Sequence, residues 1–206
     1  MLLSLPIWRS LGLAGEWSTV RLGDVAEFLT GFPFQSERYT DDPLAPRLLR
    51  GDNVAQGALR WGGAKRWPAD EAGDVEQYRL EEGDVILAMD RPWIEAGLKY
   101  AAVQESDLPA LLVQRVARLR GTEALDTRFL KYVIASRAFT EYVFAVHTGT
   151  AVPHISSGQI KSFELELPSL AEQRAIAHIL GTLDDKIELN RRMNEALEQV
   201  ARALFK

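Results

Sequence analysis

The chain has 206 residues, of which 47% are hydrophobic and 26% are charged, so it can bury a packed core and lacks the composition of a disordered protein. It has no cysteine, which excludes disulfide bonds and thiolate metal sites and favours the cytoplasm. No stretch approaches the roughly 20 apolar residues that span a bilayer, and we expect no membrane association. The opening MLLSLPIWRS has no basic residue before its apolar stretch, which is not typical of a signal peptide.

The net charge of −5 is unusual for a protein that binds nucleic acid by itself, because such proteins usually carry a basic surface. From Ser169 to Lys206 there are six basic and six acidic residues, so the negative charge lies in the preceding part of the chain. A body of this charge could bind DNA only if its lysines and arginines lie on one face, or if partner subunits add positive charge.

The body, residues 1–168, alternates short apolar runs with Gly-Asp turns, which predicts a mixed α/β domain and an α+β fold class. Three of its four Gly-Asp pairs precede a valine, as in a turn that enters a strand or helix. Their uneven spacing indicates no internal repeat. The predicted strands are Arg47–Arg50, Val85–Met89, Leu98–Val103 and Leu111–Leu119.

The second half of the body contains a helical segment. From Asp126 to Val146 apolar residues recur mostly at three- and four-residue steps, which predicts a helix capped by Asp126 or Thr127. A polar loop, Thr148–Ser157, follows it. The alternation of apolar and acidic residues in Phe163–Leu167 then predicts a closing strand.

The tail, residues 169–206, is predicted to be one long helix. Ser169 and Glu172 form the S-x-x-E pattern of a capping box. A 4-3-4-3 spacing then continues for about four heptads, which predicts a coiled-coil seam that is largely exposed in a single copy. The seam consists of Ile176, Leu180, Leu183, Ile187, Asn190, Asn194, Leu197, Ala201 and Leu204. We interpret its two asparagines as residues that set the register of pairing.

The sequence contains none of the common catalytic patterns. It has neither a phosphate-binding G-x-x-x-x-G-K-[ST] loop nor a dinucleotide-binding G-x-G-x-x-G turn. The histidines His147, His154 and His178 do not have the spacing of metal ligands. We therefore expect no catalytic residue, no cofactor and no metal site.

Four stretches, in this order, resemble the target-recognition domain and spacer helix of type I restriction–modification specificity subunits. They are WSTVRLGDVAEFLTG at 17–31, LRGDNVAQG at 49–57, LEEGDVILAM at 80–89 and the longest, GTAVPHISSGQIKSFELELPSLAEQRAIAHILGTL, at 149–183. The last is the most specific. It has a short strand that ends in Leu167-Pro168, then Leu170 and Glu172-Gln173, and Ile176-Ala177 at the opening of the helix.

The resemblance implies a sequence-specific DNA-recognition subunit that directs a separate adenine methyltransferase and a separate restriction subunit to a bipartite site. Complete members of the family usually carry two recognition domains and two spacer helices, whereas this sequence has one of each. We therefore expect two copies to pair through the helix as a homodimer. The alternative is that the sequence is a fragment of a longer two-domain subunit, in which case pairing of two copies results from the missing second half.

Four loops carry side chains that could contact bases or phosphates. The candidate DNA-contacting residues are Gln35, Arg38, Arg60, Lys65, Arg66, Arg91, Thr148, Thr150, His154, Ser156, Ser157 and Lys161. Arg91 is favoured because the resemblance implies that its loop faces DNA. The nearby Trp61 and Trp67 are more readily explained by packing. Ser156 or Ser157 could instead cap a turn at Gln159–Ser162.

Two other functions remain open at this stage. The negative charge mildly favours a coiled-coil adaptor whose body binds protein partners. An enzyme of an unrecognised class ranks last. If the basic residues of the four loops cluster on one face of the folded chain, DNA is favoured over the adaptor.

Overall fold

The computed structural model describes residues 17–148 and 152–205. The first strand, β1 (Ser18–Arg21), pairs antiparallel with β10 (Glu164–Leu167), the closing strand that the sequence predicted. In β10 the leucines are buried and the glutamates are exposed, which is the alternation of a strand with one face on the core. A single helical turn, α1 (Leu22–Val25), follows β1.

The central sheet has four antiparallel strands in the order β2-β9-β4-β7. Their bounds are β2 (Ala26–Thr30), β4 (Val85–Ala88), β7 (Tyr100–Ala102) and β9 (Val116–Gly121). Every residue of β4 is buried, because β4 is an interior strand and both faces of the sheet are covered. The apolar run that predicted this strand therefore reflects burial on both sides.

Smaller pairings complete the body. Strands β3 (Arg47–Leu49) and β8 (Ala110–Leu112) are parallel, and β5 (Trp93–Ile94) forms a hairpin with β6 (Gly97–Leu98). Short 3₁₀ segments connect these strands; they are Ser36–Arg38, Gly51–Asn53, Ala69–Tyr78 and Glu105–Asp107.

Two predicted strands are divided in the structure. Leu111–Leu119 is not one strand, because the chain turns at Gln114-Arg115, which separates β8 from β9. Leu98–Val103 is likewise shared between the end of β6 and β7, with Lys99 between them. Apolar periodicity found these segments but not the turns inside them.

The predicted helix 126–146 is two helices, α2 (Thr127–Ala135) and α3 (Arg137–Val146). The Asp126 carboxylate accepts hydrogen bonds from the first backbone N–H groups of α2, which selects Asp126 as the cap. Ser136 ends α2 and caps α3, since its hydroxyl accepts a hydrogen bond from the Phe139 N–H. Both helices contribute their apolar faces to the main core, the largest cluster of buried residues, where α2 packs against β4, β7 and β9. A short helix, α4 (Ser157–Lys161), packs near α1.

The tail forms one helix, α5 (Leu170–Leu204), as predicted. At about 1.5 Å per residue its 35 residues extend for about 52 Å. The capping box is present: the Ser169 hydroxyl accepts from the Glu172 N–H, and the Glu172 carboxylate accepts from the Ser169 N–H. Neither α5 nor any other helix in the described part of the chain combines the length and apolar character needed to cross a membrane.

The beginning of α5 is attached to the body by Gln173, which is fully buried. Its Oε1 accepts a hydrogen bond from the Asp126 N–H at 2.8 Å, and its Nε2 donates to the carbonyl oxygens of Ala124 (3.0 Å) and Pro168 (2.8 Å). One amide thus joins the loop before α2 to the first turn of α5.

A second attachment lies further along α5. Asp184 accepts a hydrogen bond from the Tyr132 hydroxyl at 2.9 Å and pairs with the Lys131 ammonium group. Burial, together with this hydrogen bond to Asp184, raises the pKa of Tyr132, so the hydroxyl keeps its proton and remains a donor at neutral pH.

These attachments correct the expectation of a seam that is exposed from its first residue. Ile176 packs against the main core and Leu180 is half-buried, because the first part of α5 lies on α2. The remaining seam leucines and isoleucine are half or more exposed; they are Leu183, Ile187, Leu197 and Leu204. Asn190 and Asn194 are exposed between them.

Candidate nucleic-acid interface

One end of the central sheet carries a cluster of basic side chains. There the chain leaves β2 and β4 and enters β9 and β7, so four connecting segments meet. A cavity of about 460 Å³ lies between them. Its polar lining residues are Ser36, Tyr39, Arg50, Asp52, Asp90, Arg91, Lys99, Gln114 and Arg115.

A second cavity, of about 360 Å³, shares Arg50 and Asp52 with the first and adds Arg60 and Lys65. We call the two cavities together the basic groove. Six of its charged residues are basic and two are acidic; they are Arg50, Arg60, Lys65, Arg91, Lys99 and Arg115, with Asp52 and Asp90. The groove therefore carries excess positive charge although the whole chain has a net charge of −5.

Two arginines of the groove have left-handed backbones, Arg91 with φ 45° and Arg115 with φ 69°. This conformation brings the Cβ of an L-residue close to its carbonyl oxygen and costs about 1–2 kcal/mol. Arg91 is held there by the hydrogen bond from its N–H to the Pro153 carbonyl oxygen at 2.7 Å. Strain of this kind concentrates at functional sites, where it aims a side chain.

Val152 lines the groove, and the segment 152–155 to which it belongs is paired with the end of β4. The Ile155 N–H donates to the Met89 carbonyl oxygen at 2.9 Å, and the imidazole of His154 contacts the Asp90 carboxylate. Asp90 also lies 3.5 Å from the Arg115 guanidinium group. Asp90 thus links His154 to Arg115, and the two predicted loops around Arg91 and His154 are adjacent.

The structure brings together some of the predicted DNA-contacting residues. Arg60, Lys65 and Arg91 line the basic groove, and His154 contacts its Asp90. Thr148 pairs with His154 through two backbone hydrogen bonds. Gln35 is exposed directly before Ser36, a groove residue. Thr150 lies outside the described residues.

Other predicted residues are held by contacts within the protein. Arg38 pairs with Glu71 and lies over the ring of Trp67, and Arg66 donates to the Ala45 carbonyl oxygen. Lys161 is on α4, with its ammonium group over the Phe28 ring.

Ser156 caps α4 in a capping box with Gln159, and Ser157 is the first residue of that helix. The capping interpretation therefore holds for Ser156. Packing is also the role of both tryptophans: Trp67 is buried in a small aromatic core, and the Trp61 indole N–H donates to Asp107.

Sequence reasoning missed Arg50, Lys99, Gln114 and Arg115. All four lie inside the predicted strands Arg47–Arg50, Leu98–Val103 and Leu111–Leu119, which gave no reason to expect them in a groove. A usable signal was present at Gln114-Arg115, because two adjacent polar residues interrupt an apolar run there. Within the described ranges, no group of His, Asp and Glu side chains is placed to hold a metal ion.

The sequence model described as the type I restriction modification DNA specificity domain matches residues 14–199. The EcoAI specificity subunit of Escherichia coli is 37% identical over 173 residues, which are 84% of this chain and 28% of that protein. The MjaVIII specificity subunit of Methanocaldococcus jannaschii is 30% identical over 191 residues, which are 92% of this chain and 44% of that protein. The chain thus spans less than half the length of either relative.

Solved structures share the fold. The HsdS subunit from Thermoanaerobacter tengcongensis superposes with a TM-score of 0.60 at 20% identity, over 92% of this chain and 41% of that one. A chain from a type I R-M system complex gives a TM-score of 0.65 at 18% identity, over 93% of this chain and 44% of that one. The mixed α+β body followed by a long helix is therefore a known architecture.

Strain at Arg115 gives a prediction about stability. Arg115→Gly should be about 1 kcal/mol more stable than Arg115→Ala, because both remove the guanidinium group and the strain that glycine avoids at a positive φ exceeds its larger loss of chain entropy. Urea unfolding of the two variants measures the difference. The matched pair Arg118→Gly and Arg118→Ala, within β9, should show the opposite order. Equal stability of the two Arg115 variants would mean that the left-handed backbone is not maintained in solution.

Proposed function

Because the chain belongs to the type I restriction modification DNA specificity domain family, we propose that it recognises a DNA sequence for separate methyltransferase and restriction subunits. The body holds the duplex along the basic groove, and the chemistry takes place on the partner subunits. We assign no catalytic step and no cofactor to this chain.

The observation that carries this proposal is the segregation of charge. Phosphates dominate the affinity of proteins for DNA, so an acidic chain needs a local basic surface. The basic groove supplies one, with guanidinium groups suited to the O6 and N7 acceptors of guanine and to phosphates. This clustering favours DNA over the adaptor function.

We further propose that two copies pair through the exposed part of α5. The chain corresponds in length to less than half of its relatives, so two copies supply two recognition bodies. In an antiparallel pair a two-fold axis relates the two bodies, and the exposed seam of one copy packs on the same seam of the other. Burying each exposed leucine or isoleucine contributes roughly 1.5–3 kcal/mol.

A homodimer of this kind determines the symmetry of the DNA site. Two identical bodies related by a two-fold axis read inverted repeats, so the target should be a palindrome with an unspecified centre. The length of α5 between the attachment points on the body and the dimer axis would set the length of that centre.

Mapping of adenine methylation tests the recognition function. Co-expression of the chain with its cognate methyltransferase subunit should produce methylation at one palindromic, interrupted sequence. Arg91→Ala should weaken specific binding by roughly 1–3 kcal/mol if Arg91 reads a guanine, so methylation at that site should fall. Arg38→Ala is the control, because Arg38 is held by Glu71. Methylation without sequence preference would contradict the recognition function. Methylation of an asymmetric sequence would contradict recognition by two identical bodies.

Light scattering coupled to size exclusion tests the pairing. The wild-type chain should be a dimer at micromolar concentration, and Ile187→Asp should produce monomers because it places a charge in the seam. Leu189→Asp is the matched control, since Leu189 is exposed on the same helix but outside the seam. A wild-type monomer, or equal effects of the two variants, would rule out pairing through this face.

A further inference from the structure

Lys99 is the one lysine in the main cavity of the basic groove, and it is almost completely covered. Only 7% of the residue is exposed, and it lies in the chain between β6 and β7. In the part of the chain that the structure describes, its ammonium group has no hydrogen bond or ion pair. The charges closest to it are those of Asp52 and Arg91, which both line the groove.

This position is unfavourable for the folded protein taken alone. Burial lowers the pKa of Lys99 and the nearby Arg91 lowers it further, whereas Asp52 only partly offsets the two effects. Lysines with so little exposed surface are usually paired with an acid, because burial removes part of the hydration of the charge. The Lys99 nitrogen itself is not fully buried and borders the cavity. A methionine of similar length would fill the same space without that cost.

The remaining lining of the cavity is suited to an anion. Arg50, Arg91 and Arg115 lie around Lys99, and only Asp52 and Asp90 oppose them. Asp52 is engaged by Arg50 at 3.8 Å, and Asp90 by His154. An anionic group that enters the cavity would therefore meet the Lys99 ammonium group at its floor.

We propose that the floor of the basic groove at Lys99 is a subsite for a backbone phosphate of DNA; this rests on the proposed function. A base edge would have to be reached by a side chain that projects into the major groove, which a lysine covered to this extent does not do. The phosphate backbone, by contrast, protrudes from the duplex and can enter a groove of the protein. Lysine provides a compact charge with three donors, which suits a phosphate oxygen.

A phosphate contact positions the duplex but carries no sequence information. Lys99 would therefore contribute equally to binding of every duplex, while the arginines above it are left to contact bases. It would also fix how deeply the backbone of the duplex lies in the groove.

Duplex binding as a function of salt tests the subsite, with fluorescence anisotropy of the full chain and a labelled mixed-sequence duplex as the probe. Lys99→Met should lower the log–log salt slope by about 0.9 and weaken binding about eightfold at 0.1 M salt. Lys99→Arg should retain the slope. Lys186→Met, which removes the same charge from an exposed position on α5, is the control and should not change either quantity.

The outcomes separate this subsite from the proposed function. Wild-type binding with an unchanged Lys99→Met variant would overturn the subsite and leave the function standing. If Lys99→Met weakened binding only to the methylated sequence and left the salt slope unchanged, Lys99 would contact a base, and the phosphate subsite would also be overturned. Lys99→Met should be at least as thermally stable as the wild type, so unfolding of this variant would assign Lys99 a structural role. Absence of duplex binding by the wild type at low salt would count against the proposed function itself.

Discussion

The position of the basic groove relative to the long helix depends on one buried amide, that of Gln173. Its three hydrogen bonds join the segment that leaves the central sheet, the cap of α2 and the start of α5. A buried polar group that loses its partner costs about 1–3 kcal/mol, so each of the three bonds contributes to holding this junction together. The Tyr132–Asp184 contact adds a second point of attachment. Two points on one rigid helix fix its direction, and hence fix where a second body could lie.

The basic groove places positive charge on the surface of a chain whose net charge is negative. A chain with a net charge of −5 is repelled by DNA at long range, so affinity must come from charges that are close to the duplex. Four strands of the central sheet begin or end at this place, which brings the basic residues together. The left-handed backbones at Arg91 and Arg115 and the burial of Lys99 lower the stability of the fold.

Local sequence signals predicted the elements that depend on local physics. The Ser169–Glu172 cap, the long helix, β4 and β10 follow from spacing and capping chemistry. The break at Ser136 was missed because apolar spacing continues on both sides, and a serine hydroxyl can either face solvent or cap. The groove could not be predicted either, because Arg50, Lys99 and Arg115 are brought together only by strand pairing between distant segments. The resemblance to a family indicated the function without indicating these residues.

Site-specific photo-cross-linking tests most directly whether DNA lies in the basic groove. A photoreactive amino acid at Val152, an exposed residue of the groove, should cross-link to a duplex bound at low salt. The same group at Val200, an equally apolar and similarly exposed position on α5, should give little cross-linking. Equal yields at the two positions, or a higher yield at Val200, would contradict the claim that the groove is the DNA-binding surface.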